Sequence, residues 1–254
     1  MRGKFQLGSW LLAGAMALST TAFADTASAR YDAQIQTDVT RQLQKKSEFK
    51  DIRSSVEDGI VTLQGTVDTY KHKLDAEKRA RKANHAAGVR DLVQVEGKAV
   101  SDAQLGEQLA KKLRYDGFDY ERAFNVLTLD VNNGVVTLGG EVRSPWNKDS
   151  AIAEVANTPG VKDVVDKIKV APTSIYDDEL RIRTARAIYR DPALLKYAMD
   201  PQAPIRIIVD NGHVGLYGVV DSKMDRTIAE MRARQVFGAF SVDNHLVTTQ
   251  EIAR

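Results

Sequence analysis

One eleven-residue phrase, written three times, limits what this chain can fold into more than any other feature. Glu57-Asp58-Gly59-Ile60-Val61-Thr62-Leu63-Gln64-Gly65-Thr66-Val67 returns as Asn132-Asn133-Gly134-Val135-Val136-Thr137-Leu138-Gly139-Gly140-Glu141-Val142. It returns again, more altered, as Asp210-Asn211-Gly212-His213-Val214-Gly215-Leu216-Tyr217-Gly218-Val219-Val220. The first glycines lie 75 and then 78 residues apart, and a second glycine follows six positions after each. Solenoid and propeller units repeat every 20–50 residues or about that, so this period is too long for them. It suits a small domain copied in tandem, since domains of about 55–65 residues fold alone. Length alone would give one or two domains at roughly 150 residues each; the repeat points instead to three, spanning 25–99, 100–171 and 172–254. A chain of similar modules is expected to act by binding.

Each copy reads the same way. Before the first glycine stand Ile52, Ser54 and Val56; Leu127, Leu129 and Val131; or Ile205, Ile207 and Val209. After it stand Val61, Leu63 and Val67; Val136, Leu138 and Val142; or Val214, Leu216 and Val220. Alternation on both sides of a turn that holds Gly59, Gly134 or Gly212 predicts a two-stranded hairpin with one apolar face. By parity, Gly65, Gly140 and Gly218 point to that face, where a missing side chain admits a helix at close range. The helix itself is read from Ala76, Ala80, Ala83 and Ala87, from Ile152, Val155 and Ala156, and from Met224, Ile228 and Met231. It ends near Gly88, Gly160 or Gly238 in a left-handed cap, and a last strand follows. A further helix precedes each hairpin, over Asp32 to Leu43, Ala103 to Leu113 and Tyr176 to Tyr189. The expected fold class is α+β: three tandem αββαβ domains, each a three-stranded mixed sheet covered by helices on one face.

The first 24 residues read as a leader. Arg2 and Lys4 precede an apolar run from Trp10 to Leu18, and Ala22-Phe23-Ala24 is a small-x-small cleavage site. The run is shorter than the about 20 residues that span a bilayer, so a cleaved signal peptide and a periplasmic product are expected, with the cut after Ala24. The chain has no cysteine, which excludes a lipidated leader and any disulfide, so each domain must stand on its own core. Of 36 basic and 34 acidic residues, Arg2 and Lys4 belong to the leader. The remainder is balanced, and nucleic acid is excluded as a general partner.

The sequence offers no catalytic site. Four histidines, His72, His85, His213 and His245, show no metal-ligand spacing, and His72 and His85 fall in a Lys/Arg-rich helix that repels cations. Without cysteine or a glycine-rich phosphate loop there is no nucleophile or nucleotide candidate; no enzyme, cofactor or metal is expected. The candidate ligand-binding residues are Lys71, Lys73, Lys78, Arg79, Arg81 and Lys82, opposed only by Asp75 and Glu77. They form either a patch for anionic headgroups or a solvated helix face with Asp75–Arg79 and Glu77–Arg81 pairs. Trp146 follows the second hairpin in a loop, where it either faces a membrane or protein partner or caps its own helix start. In the third copy Tyr176, Ile182, Tyr189 and Tyr197 with Arg181, Arg183, Arg186 and Arg190 read as a second amphipathic, locally basic helix.

The αββαβ order, the two glycines of the D/N-G-x-V-x-L-x-G-x-V phrase and the later G-V before the last strand resemble the BON domain. An exported chain built mostly of such domains is similar to the OsmY-type periplasmic stress proteins, although those usually carry two copies. The resemblance implies attachment to anionic phospholipid surfaces or to envelope proteins, in connection with osmotic or envelope stress, and no catalysis. The third copy departs most, with Gly215 in place of the strand threonine and Gly238-Ala239 in place of G-V. The alternative reading is a protein-interaction or chaperone-like scaffold acting through sheet edges and helix faces.

Overall fold

The computed structural model describes residues 29–115, 122–200 and 204–252; the expected leader, residues 1–24, lies outside them. The first domain runs α1 (Asp32–Gln44), β1 (Ile52–Glu57), β2 (Ile60–Val67), α2 (Tyr70–Ala80) and β3 (Gly88–Val95). The second runs α3 (Asp102–Tyr115), β4 (Val126–Asn132), β5 (Val135–Val142), α4 (Pro145–Ala156) and β6 (Asp163–Val170). The third runs α5 (Ile175–Tyr189), the short α6 (Leu195–Ala198), β7 (Ile205–Asp210), β8 (His213–Val220), α7 (Lys223–Arg234) and β9 (Ser241–Thr248), and closes with the short α8 (Thr249–Ile252). In each, the hairpin strands pair antiparallel and the last strand joins parallel to the second, leaving the second central. The three-stranded mixed sheet expected from the repeat is present three times.

The hairpins turn as their Asp-Gly and Asn-Gly pairs require. Asp58 and Gly59 have φ of 50° and 76°, Asn133 and Gly134 of 52° and 80°, and Asn211 and Gly212 of 49° and 80°. Two successive positive φ values define the tight turn whose twist matches the flanking strands. A carboxylate at the start of the first helix then clamps each turn. Asp32 accepts hydrogen bonds from the Asp58 and Gly59 amides at 3.0 and 2.8 Å. Asp102 does the same for Asn133 and Gly134 at 2.7 and 2.9 Å, and Asp177 for Asn211 and Gly212 at 3.1 and 2.9 Å. A negative charge is also favoured at that helix end, so one residue serves both the helix and the hairpin.

Each core lies between the helices and one sheet face. In the first domain Ile35, Val39 and Leu43 of α1 meet Val61, Leu63 and Val67 of β2, and Ala76 and Ala80 of α2 close the cluster. Burying each large aliphatic side chain contributes about 1.5–3 kcal/mol, and in a cysteine-free chain these cores are what hold the domains. Two helix readings need correction. α2 stops at Ala80, and Ala87 is exposed, because the chain turns at His85 with φ of 68°. On α7 the buried face is Asp225, Ala229 and Ala233, while Met224 and Met231 are exposed. Small residues at i, i+4 let α7 approach α5; methionines there would hold the two helices apart.

The glycines six after the turn have a different reason from the expected helix contact. Gly65, Gly140 and Gly218 have φ of 129°, 98° and 121°, and a Cβ on each would run into a backbone carbonyl just before or at the start of the neighbouring strand, that of Asp51, Val126 or Pro204. Only glycine takes that conformation without strain, and only glycine fits against that backbone. Gly88 is also corrected: it opens β3 and has no positive φ, whereas His85 holds the left-handed position that Gly160 and Gly238 hold in the other copies. The Gly215 substitution has a plain cause, since the Tyr217 ring lies over it and stacks on His245 at 4.7 Å.

The domains touch. Tyr70, at the head of α2, packs on the second core, and burial followed by a hydrogen bond to Asp163 pushes its hydroxyl up to about 12. Phe124 packs on the third core, Arg206 donates to the Asn125 carbonyl at 3.1 Å, and Arg143 grips Asp178 with both terminal nitrogens.

Candidate functional site

The basic residues gathered by sequence lie on or just past α2, and most of them are already engaged. Lys71 pairs with Asp75 at 3.3 Å, and Arg81 pairs with Glu77 at 2.5 Å. The Glu77–Arg81 pair was expected; Asp75–Arg79 was not realised, because Arg79 lies over the Phe49 ring at 5.5 Å. Lys73 sits close enough to Asp91 to oppose the rise that burial gives that carboxyl. Lys78 and Lys82 are exposed and make no ion pair among the described residues. The structure thus reduces six candidate cations to two that are free to meet an anion.

Trp146 is placed in the first turn of α4 rather than in a loop, one residue after Pro145 and two after the Ser144 cap. It is 65% exposed, so it does not fold back over its own helix start. The helix attributed to the third copy is divided by the fold. Arg181 is buried, donating to Asp178 at 2.5 Å and to the Val209 carbonyl at 2.5 Å, and Tyr197 belongs to α6. Arg186 and Arg190 remain exposed.

Sequence reasoning missed a second surface, at the loop between α7 and β9. Phe237 and Phe240 are 89% and 73% exposed, and Ile175 at the head of α5 is 80% exposed. Next to Ile175, Tyr176 donates a hydrogen bond from its hydroxyl to the Gly238 carbonyl at 2.5 Å, tying the helix start to the loop. The available signal was two phenylalanines flanking Gly238-Ala239 at a position where the other copies have none.

One edge strand of each sheet is partly capped by its own side chains. On the last strand of each sheet (β3, β6 and β9) a carboxylate or amide accepts from the backbone amide two residues on: Asp91 from Val93 at 2.9 Å, Asp166 from Ile168 at 2.9 Å and Asn244 from Leu246 at 3.1 Å. Carbonyls on two of these strands are taken too, Ile168 by Lys148 at 3.1 Å and Val242 by Arg234 at 3.2 Å. Groups satisfied in this way are not offered to an incoming strand. Between the second and third domains a cleft of about 410 Å³ is lined by Phe124, Ile182, Ala185 and Tyr189 with Arg143, Asp178, Arg181 and Arg186. The Arg143 hydrogen bonds, with Arg181 behind them, hold the Asp178 carboxyl below the usual carboxylate range although burial opposes this. Most of its charge is spent on joining the domains.

The histidines are scattered. His72 is half-buried with no partner for its Nδ1, and His85 stacks on Tyr31 at 4.0 Å from a turn, not from the helix assigned to it. His213 accepts or donates to the Ser241 hydroxyl at 2.8 Å beside the third turn. Among the described residues no three metal-ligating side chains gather, and no helix is long and apolar enough to cross a membrane.

Comparison with known proteins agrees with the repeat. The BON domain model matches residues 31–97, 101–172 and 192–250. The third match begins after α5, yet α5 supplies the Asp177 clamp and so completes the same unit. No curated protein matches the chain. Two solved structures of CdsD, a structural protein of the type III secretion system of Chlamydia trachomatis, are similar to it at 13% identity. One, of the C-terminal domain, covers 84% of this chain and 96% of that chain with a TM-score of 0.24; the other covers 87% and 95% with a TM-score of 0.23. Scores so low support no common arrangement of domains. Three matched segments, three identical sheet orders and three clamped turns place the chain in the BON domain family.

Proposed function

We propose that this chain is a non-enzymatic periplasmic binding protein that attaches to anionic phospholipid surfaces and supports the envelope under osmotic or envelope stress. BON domains are associated with phospholipid binding and with osmotic-stress proteins, and the leader-like residues 1–24 support export. The observation that carries the lipid reading is the pair of exposed, unpaired lysines, Lys78 and Lys82, at the end of α2. A lysine near an anionic membrane contributes about 1 kcal/mol, so the pair supplies weak, reversible attachment. Against the scaffold reading through sheet edges, one backbone amide on the last strand of each sheet is already capped by a side chain. Flotation with phosphatidylcholine vesicles, with and without phosphatidylglycerol, tests the proposal. The wild-type protein is expected to float with the anionic vesicles, and Lys78→Gln with Lys82→Gln to weaken this roughly tenfold or more. A wild-type protein that floats with neither vesicle contradicts it.

A further inference from the structure

We infer that the tip of the third domain, built by Phe237 and Phe240 beside Ile175 and Tyr176, is a second lipid contact that enters the interfacial layer of the bilayer. The inference rests on the lipid reading above and gives it a site that charge alone does not supply.

Equivalent positions in the three copies are fixed by one repeated hydrogen bond. Ala87 donates to the Gly59 carbonyl at 2.8 Å, Lys162 to that of Gly134 at 2.9 Å and Phe240 to that of Gly212 at 2.9 Å. Phe240 therefore stands where the other domains have Ala87 and Lys162, and Phe237 where they have Asn84 and Pro159. The fold does not require a large apolar side chain at either place. The third domain nevertheless exposes both, at 89% and 73%.

The tip is also held ready. The Phe240 ring rests on the hairpin turn, so close to Gly212 that a Cβ there would come within 2.6 Å of it. It lies 6.4 Å from the Tyr176 ring and 6.2 Å from that of His213. The Tyr176 hydroxyl fixes the Gly238 carbonyl, so Phe237 projects from a pinned loop and not from a free one. Arg183 reaches the same loop, with a terminal nitrogen 3.7 Å from where a Cβ of Gly238 would lie. Exposed apolar rings beside a guanidinium match the layering of a membrane interface, with rings below the headgroups and a cation among the phosphates.

Size decides between a bilayer and a protein. At about 150–250 Å² for each aromatic side chain, the two phenylalanines expose on the order of 300 Å², and with Ile175 and Tyr176 the tip exposes on the order of 500 Å². A stable protein interface needs about 800 Å² on each partner. A patch this small is too little for a specific protein partner, and it suits insertion into lipid, where each buried ring adds on its own.

The test uses the purified protein with phosphatidylcholine vesicles, with and without phosphatidylglycerol, at low and high salt. Phe237→Ser removes almost no packing and is expected to weaken binding on the order of tenfold, with the residual binding at high salt lost. In a chain without residues 1–24, which hold Trp10, and with Trp146→Phe, Phe237→Trp is expected to shift its emission to the blue on vesicles and to be quenched by brominated acyl chains. If the wild type binds vesicles while Phe237→Ser binds equally well and the introduced tryptophan is not quenched, the tip inference falls and the lipid reading stands. If the wild type binds no vesicle, both fall. Capture of a protein partner that depends on Phe237 in the absence of lipid also overturns the inference.

Discussion

The first and third domains fold alike and meet solvent differently. Ile60 stands opposite Gly88 in one and His213 opposite Ser241 in the other, so strands, turn and crossover correspond residue by residue. At the second helix the first domain leaves Lys78 and Lys82 open, whereas on α7 Arg226, Arg232 and Arg234 are all paired, with Glu251, Asp191 and Glu230. At the loop before the last strand the relation reverses: Asn84-His85-Ala86-Ala87 in the first domain, Phe237-Gly238-Ala239-Phe240 in the third. At these two places the same scaffold carries exposed lysines in the first copy and exposed phenylalanines in the third, while the third copy keeps Arg186 and Arg190 exposed elsewhere, on and just after α5. On the proposed lipid reading, the first copy supplies charge and the third supplies apolar surface.

The shared scaffold is the half of this comparison with the largest energetic stake. Gly65→Val and Gly218→Val should each cost roughly 3–5 kcal/mol, backbone strain and overpacking together. Urea melts of the full chain would show one transition moved down strongly in either variant. A third domain that tolerates the valine would mean that its strand pairing is not equivalent to that of the first.

The turn clamp should separate the two domains by degree. Asp177 is 4% exposed and Asp32 is half-buried, so the loss of the carboxylate strands two amides more severely in the third domain. Asp177→Ala is expected to cost about 2–3 kcal/mol and Asp32→Ala about 1–2 kcal/mol. Amide exchange at Gly212 and Gly59 reads each clamp directly; equal acceleration at both would erase the distinction.

Acid should act on the third domain through Asp225, where the first domain has His72 at the corresponding helix position. Burial works against the Asp225 carboxylate, but hydrogen bonds from Lys196 at 2.9 Å and Tyr197 at 2.7 Å, together with Ser222, hold it below the usual range. With its folded value under the unfolded value of about 3.9, its contribution is complete above about pH 4 and is lost as pH falls through the folded value. Melts of wild type and Asp225→Asn from neutral to acid should converge as the pH drops below that range; a constant gap would assign Asp225 no linkage.

Much of the fold was legible because alternation and turn chemistry are local. The period-2 residues around Asp58-Gly59, Asn133-Gly134 and Asn211-Gly212 identify the hairpins, and the spacing of the copies gives the domain number. The parity argument at Gly65 failed because it assumes regular strand geometry, and a φ of 129° breaks that regularity. Aligning the first copy on Gly88 slipped the loop by three residues, since His85 does there what glycine does elsewhere. The aspartate clamps join residues 26 to 35 apart, beyond any local pattern, although an aspartate in the first turn of each leading helix was a visible trace. At the basic helix the expected Asp75–Arg79 pair failed and Lys71 took Asp75, because the Phe49 ring that takes Arg79 comes from a separate segment. Phe237 and Phe240 went unread, because nothing local in the sequence says which way a loop side chain faces, and only the loop geometry turns them outward.

A salt titration of vesicle binding tests the central claim most directly, comparing wild type with the Lys78→Gln, Lys82→Gln variant and with Phe237→Ser. Exposed charges are screened over about 8 Å at physiological salt, so the lysine contribution should fall as salt rises and the phenylalanine contribution should persist. The account predicts that the lysine variant loses the salt-dependent part and keeps the residual binding, whereas Phe237→Ser keeps the salt dependence and loses the residual. Parallel loss of both parts in both variants, or no change in either, would contradict it.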